Sequence, residues 1–141
     1  MIIPDKDIIL CLKVAKVIAL QSTAIRAQVG CVIYCKKTRN IISMGYNGMP
    51  MGESNVCEEN NKTKADVIHA EVNALKKLSF FKRIGKVAFV THAPCLGCAK
   101  ALKKSFISSV YYLYPYGDGR GLEYLRQHNI EVKRVLWWCE G

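Results

Sequence analysis

The sequence predicts an α/β protein in three layers, helix on sheet on helix, built around one five-stranded mixed sheet. Three observations carry this prediction. Short apolar runs of strand length alternate with segments of helical period, and after a first helix the order is β, β, α, β, α, β, α, β. Only Lys36-Lys37-Thr38-Arg39-Asn40 separates the first two strands, which makes them a hairpin, while helices separate the others and should cover both faces of the sheet. A chain of 141 residues, 50% of them hydrophobic, fills one core, so a single domain over residues 1–141 is expected.

Taken in order, residues from about Asp5 to Leu20 form the first helix, with Pro4 just before it and Asp5 as its N-cap. Its apolar positions nearly encircle it and only Lys13 and Lys16 mark a wet side, so burial on more than one face is expected, by its own core or by a second subunit. Trp137 and Trp138 near the C-terminus favour a partner contact as well. A polar stretch, Gln21 to Gln28, leads to the first strand, Val29-Gly30-Cys31-Val32-Ile33-Tyr34, and Asn40 to Tyr46 returns as the second. The stretch from Gly45 to Gly52 holds three Gly and a Pro within eight residues, a loop of special backbone angles of the kind that carries binding groups. Glu53 to Asp66 has no apolar period and is expected to be an exposed loop. Ile68, Val72, Leu75 and Leu78 then recur at helical spacing, which puts His69 and Glu71 at a helix start. Lys86 to Thr91 is a buried strand, and Cys95 to Phe106 is the next helix, entered from Pro94. Val110 to Tyr114 is the fourth strand; Tyr111, Tyr112, Tyr114 and Tyr116 are candidates to stack on a base, but alternating Tyr in a strand is more often packing. Tyr116 to Gly121 is a Gly-rich turn. Leu122 and Leu125 lie in a short helix that ends near Asn129, and Glu131 to Leu136 is the fifth strand.

The residues that carry chemistry lie between Ile68 and Cys98. They are His69-Ala70-Glu71 and Pro94-Cys95-Leu96-Gly97-Cys98. One His and two Cys suit Zn²⁺, and three protein ligands leave a fourth position open, which marks a catalytic site. Glu71 is close enough in sequence to move protons there without itself binding the metal. A lone C-x-x-C or a lone His says little, but the combination is specific. Both halves fall at helix starts, where the helix dipole stabilises thiolates. Seven scattered Cys make a poor disulfide framework and fit reduced thiols in the cytoplasm. The first residues lack a signal peptide's features. Ile8 to Leu20, interrupted by Lys13 and Lys16, is too short for a membrane span, so a soluble protein without a membrane partner is expected. The net charge of +10 fits anionic partners such as phosphate esters or nucleic acid, and equally a solvated surface.

Five segments together resemble the cytidine deaminase superfamily, and within it the deoxycytidylate (dCMP) deaminases: Gln21 to Gly30, Gly45 to Gly52, His69 to Ala74, Val90 to Ala99 and Gly121 to Leu125. The H-x-E…P-C-x-x-C pattern marks the superfamily. The stretch Gly45-Tyr46-Asn47-Gly48-Met49-Pro50-Met51-Gly52 resembles the dCMP enzymes in particular. The resemblance implies a cytidine-deaminase-like fold and zinc-dependent hydrolysis of dCMP to dUMP and ammonia, supplying thymidylate synthesis, with dCTP as a second candidate substrate. It implies one zinc ion on His69, Cys95 and Cys98, proton transfer by Glu71, a deoxyribose contact from Asn47, backbone contacts to the base from Ala70, and Arg26 as first candidate for the 5′-phosphate. Many members hold a second, structural zinc. Here Ala24 replaces its first Cys and no His lies between Cys57 and His69, so none is expected and Cys57 becomes an unpaired loop thiol.

Regulated members are hexamers activated by dCTP and inhibited by dTTP. The resemblance therefore implies a hexamer with an effector site that includes Gly45, Tyr46, Gly48, Pro50 and Gly52, and Mg²⁺ would accompany a triphosphate effector. No stable nucleic-acid partner is expected. Two other readings stay open at this point. A tRNA adenosine deaminase shares the metal motif and accounts for the basic charge, but the loop from Tyr46 to Pro50 looks like the nucleotide enzymes. A non-catalytic zinc-stabilised binding module is the third reading, and Glu71 argues against it.

Overall fold

Strand-forming runs and helical segments appear in the predicted order, with two unpredicted two-residue strands added in the stretch expected to be a loop, in a computed structural model that describes residues 2–25, 27–49, 56–59, 62–63, 67–78 and 85–136. The elements are α1 (Asp5–Ala19), β1 (Gly30–Cys35), β2 (Asn40–Tyr46), β3 (Glu58–Glu59), β4 (Lys62–Thr63), α2 (Ala70–Leu75), β5 (Lys86–His92), α3 (Leu96–Lys104), β6 (Ile107–Tyr114), α4 (Arg120–Gln127) and β7 (Glu131–Arg134). Five strands form one sheet in the order β2-β1-β5-β6-β7, and β3 with β4 forms a small separate ribbon. β1 is antiparallel to both β2 and β5, whereas β6 is parallel to both β5 and β7. The sheet is therefore mixed, as expected.

Alternation along the strands divides the interior into two cores. Cys31, Ile33, Ala88, Val90 and Val110 meet Ala70 and Ala74 of α2, Ala99 and Leu102 of α3, and Leu125 of α4. Val32, Tyr34, Val87, Phe89 and Tyr111 meet Cys11, Leu12 and Ala15 of α1. The three layers are thus α1, the sheet, and α2 to α4 together. Both faces are covered, but unequally, because β5-α3-β6 and β6-α4-β7 step the same way across the sheet. Two crossovers of one hand taken in one direction put both helices on one face. The tyrosines of β6 pack in part, with Tyr111 stacked on Phe89 at 5.1 Å between ring centres.

Several local expectations change. The N-cap of α1 is Pro4, and Asp5 is its first helical residue. Asp7 in the same turn is the informative acid: it accepts hydrogen bonds from the Tyr34 hydroxyl and from Arg39 Nε and Nη2 at 3.0 and 3.1 Å, which ties α1 to the hairpin turn. Leu10 and Val17 of α1 and Leu20 at its C-cap are more than half exposed, so its outer apolar side is open in this chain. Helix α2 has only six residues; Ala70, Ala74 and Leu75 carry its burial, Val72 is exposed, and Ile68 precedes the helix. The stretch expected as an exposed loop contributes to the interior, because Cys57 is fully buried with Ala24 and Val67. It is a packed thiol, unlike the loop thiol expected. Arg26, Pro50, Gly52, Trp137 and Trp138 lie outside the described residues. Among the described residues no helix is long and apolar enough to cross a membrane.

Candidate active site

The loop after β2 approaches the lead into α2 through a pair of backbone bonds, Gly48 N to Ile68 O at 3.0 Å and Ile68 N to Gly48 O at 2.8 Å. Helix α2 then lies directly on β2. A Cβ on Gly45 would come within 2.6 Å of Ala74 N, so glycine there permits the contact. The Ser43 hydroxyl donates to Ala74 O at 2.6 Å, and Asn73 Nδ2 donates to Tyr46 O at 2.8 Å. These contacts account for Gly45, Tyr46 and Gly48 as the parts that seat His69. Their candidacy for an effector site rests on the resemblance alone.

His69 is the N-cap of α2 and Cys95 the N-cap of α3, and both have extended backbone. Cys98 lies one turn into α3, and its N–H points at Cys95 Sγ at 3.5 Å. The two helix starts converge so that His69 Nδ1 is 3.1 Å from Cys98 Sγ and 3.5 Å from Cys95 Sγ, with all three ligand atoms within 4.8 Å of one another. A tetrahedral zinc at about 2.0 Å from nitrogen and about 2.3 Å from sulfur would space N and S by about 3.5 Å. The trio fits that ion in donor type and in span.

Electrostatics supports the same reading. The Cys95 thiol is pulled down to about 3 by hydrogen bonds from Cys98 and His69, so it is a ready thiolate ligand. Cys98, which supplies the proton to Cys95, is raised, and His69 is raised by its bond to Cys95. Glu71, only 4% exposed, is raised by burial, which suits a carboxyl that must both take and give a proton. Cys31 lies fully buried beside Glu71 and is pushed up by burial and by that carboxylate.

A cavity of about 80 Å³ opens over His69 and Cys95. Ala70, Glu71 and Asn47 line it with them, and Cys98, buried and outside the lining, reaches the same place through its contact with His69. Asn47 does more than face the cavity. Its Oδ1 accepts from Val29 N and its Nδ2 donates to Ala27 O, both at 2.9 Å, which clamps the segment before β1 as a cavity wall. The sequence reading missed Glu58 and His92 as lining residues, and it put packing ahead of stacking on a base for Tyr116, which lines the cavity as well. Glu58 was hidden in a stretch without periodicity, yet its Oε2 accepts from Ile25 N at 2.7 Å and folds that stretch against residues 23–25. His92 and Tyr116 stand at or just past strand ends, on the same side of the sheet as Cys95, and their position relative to the metal motif was the available signal.

Comparison with known proteins places the chain among deaminases. Residues 6–114 match the family model described as cytidine and deoxycytidylate deaminase zinc-binding region. A probable deoxycytidylate deaminase of Caenorhabditis elegans is 37% identical over 108 residues, covering 72% of this chain and 54% of that protein. ComE operon protein 2 of Bacillus subtilis is 35% identical over 129 residues, covering 84% of this chain and 65% of that protein. The chain thus spans roughly half to two thirds of these two relatives. The dCMP deaminase of cyanophage S-TIM5, solved in complex with dCMP and dUMP, superposes with a TM-score of 0.87 at 31% identity, covering 96% of this chain and 100% of that one.

Proposed function

Because the chain belongs to the cytidine and deoxycytidylate deaminase family, we propose that its 141 residues are one catalytic domain that hydrolyses dCMP to dUMP and ammonia. The observation that carries this is the buried Glu71 beside the His69, Cys95 and Cys98 trio, in one cavity with Asn47. A zinc ion held by the trio would supply a Lewis acid that makes water nucleophilic near neutral pH. Glu71 takes a proton from the attacking water and delivers it to N3 of cytosine as the C4–O bond forms. It then carries a second proton to the exocyclic nitrogen, the C4–N bond breaks, and ammonia leaves. Ala70, buried at the first position of α2, presents backbone to the base, and Asn47 offers its remaining hydrogen-bonding capacity to the deoxyribose. Arg26 is the proposed 5′-phosphate ligand, since a guanidinium matches phosphate geometry.

The finer parts of the reading come from the family. The enzyme acts in the cytoplasm and feeds dUMP to thymidylate synthesis, with one zinc per subunit and dCTP as a further candidate substrate. It is a hexamer, to which the open apolar side of α1 lends support. It is activated by dCTP with Mg²⁺ and inhibited by dTTP at the loop 45–52. Ammonia release from dCMP, dCTP, cytidine and deoxycytidine by zinc-loaded protein tests the core proposal, and inactivity on all four refutes it. A sigmoidal dCMP curve that becomes hyperbolic with dCTP supports regulation; a hyperbolic curve indifferent to both nucleotides removes it.

A further inference from the structure

Besides Glu71 and the trio, the cavity wall holds one more group whose protonation the structure defines. Thr91 is buried, and its hydroxyl oxygen accepts the Gly30 N–H at 3.1 Å. The same oxygen lies 2.8 Å from Nδ1 of His92. A hydroxyl has one hydrogen to donate. Were Nδ1 protonated, that hydrogen would have no acceptor among the described residues, at the cost of an unsatisfied buried group. Thr91 therefore donates to Nδ1, and His92 is the neutral tautomer with its proton on Nε2. Burial lowers the pKa of His92 and acts in the same direction. The ring is set against Tyr114 and edge-on to Tyr116, with centroids at 5.3 and 5.5 Å. Nε2, across the ring from Nδ1, has no hydrogen-bond partner among the described residues, and the ring lines the cavity.

We propose that His92 is a specificity-determining residue: Thr91 holds it as the Nε2–H tautomer, and it donates a hydrogen bond to an oxygen in the sugar–phosphate part of the bound nucleotide. This rests on the deaminase reading. The contacts of His92 support that assignment. Buried Glu71 is flanked by His69 and Cys95, both exposed, whereas the contacts of half-buried His92 among the described residues are with Thr91, Tyr114 and Tyr116, the last 46% exposed, and none is with the trio. The base occupies the end with Glu71 and the metal trio, so His92 stands beside the sugar and phosphate that extend from the base. Ordinary packing of an aromatic ring would not require a fixed tautomer with its only donor turned away from protein partners.

The test compares His92→Gln with His92→Asn in the zinc-loaded full chain. The Gln amide nitrogen reaches the position of Nε2, whereas the Asn amide reaches only that of Nδ1. With dCMP, H92Q should keep a KM near wild type, while H92N raises KM roughly tenfold with kcat within about twofold. If kcat/KM of H92N falls for dCMP but not for deoxycytidine, the acceptor is a phosphoryl oxygen. If it falls for both, the acceptor is a sugar oxygen. Equal impairment of H92Q and H92N, wild-type KM in H92N, or a loss confined to kcat overturns the proposal. Should the wild type release no ammonia, the deaminase reading fails first, and calorimetric binding of dCMP to the three proteins still decides the role of His92 by the same ranking.

Discussion

Replacing Gly121 by Ala should damage the metal site from outside it. Gly121 lies in the first turn of α4, where a Cβ would collide with the carbonyl oxygen of Pro94 and come within 2.7 Å of both C and O of Cys95. All three atoms are backbone, so no side chain can swing aside. Carbon contacts relax only at about 3.5 Å or more, so the loop and the helix must separate by about 1 Å. Leu125 pins α4 into the core at 0% exposure, which makes the Pro94-Cys95 loop the part that yields. Overpacking of this kind costs about 1–3 kcal/mol, and Tm should fall by about 3–10 °C. The larger effect is catalytic, because a misplacement of about 1 Å near the reacting centre costs on the order of 10² in rate. Zinc stoichiometry, kcat on dCMP and Tm are measured together, with Gly119→Ala as the contrast. Gly119 has φ +83 and nothing within 4 Å of a Cβ, so Ala there strains the backbone by about 1–2 kcal/mol but should leave zinc and kcat unchanged. Full zinc content and unchanged kcat in Gly121→Ala would refute the reasoning.

Glu71→Gln should retain its zinc and lose nearly all turnover, since the amide cannot shuttle protons; unchanged ammonia release would sink the assigned mechanism. Asp7 is held down to about 2, below its ordinary 3.8, by its bonds from Arg39 and Tyr34. A carboxyl depressed in the folded state adds stability above its unfolded pKa and loses it as pH falls through the folded one. Asp7→Asn should therefore lower Tm at neutral pH, with the gap from wild type closing between about pH 4 and about pH 2 in thermal melts. Asn47→Ala leaves Val29 N–H and Ala27 C=O without their partner, so a stability loss of about 1–3 kcal/mol and a raised KM for dCMP are expected from denaturant titration and steady-state kinetics. A variant with unaltered KM would limit Asn47 to a structural role.

The candidate metal site was legible in the sequence because its parts are local. His69 and Glu71 are two residues apart, Cys95 and Cys98 three, and helix-start geometry then fixes where each side chain can go. The strands were legible for a similar reason: β2 has the predicted bounds, and β1 and β5 differ from prediction by one residue at their ends. What stayed hidden depends on long-range contacts. Burial of Cys57 comes from Ala24 and Val67 on other segments, and no local period foretells it. Asp7 looked like one of two acids at a helix start, and only Tyr34 and Arg39, 27 and 32 residues away, give it a purpose. Helix α2 stopped at Leu75 although the apolar spacing continued to Leu78. A tight turn, Leu78 N to Leu75 O at 3.0 Å, takes over there from the helical ladder.

The position of the cavity stems from where the sheet changes character. β1 is the last strand of the antiparallel half and β5 the first of the parallel half, so the C-terminal end of β5 lies beside the N-terminal end of β1. At that end β5 delivers His92, Ala93 and the Cys95 helix start, while the segment entering β1 is held open by Asn47 from the end of β2. Thr91 closes the seam by accepting Gly30 N–H across it. In parallel sheets, ligands bind outside the carboxyl ends of the strands because the chain leaves there into helix N-termini. Here only β5 needs to obey that rule. The opposite wall comes from an antiparallel neighbour whose chain is entering the sheet, so one side of the cavity is built of helix starts that favour a metal and its anions, and the other of extended backbone bonded to a carboxamide. Under the proposed function that asymmetry would separate reaction from recognition: residues of the helix starts would act on the base, and residues along the seam, Asn47 and His92 among them, would meet the sugar and phosphate to which the base is attached.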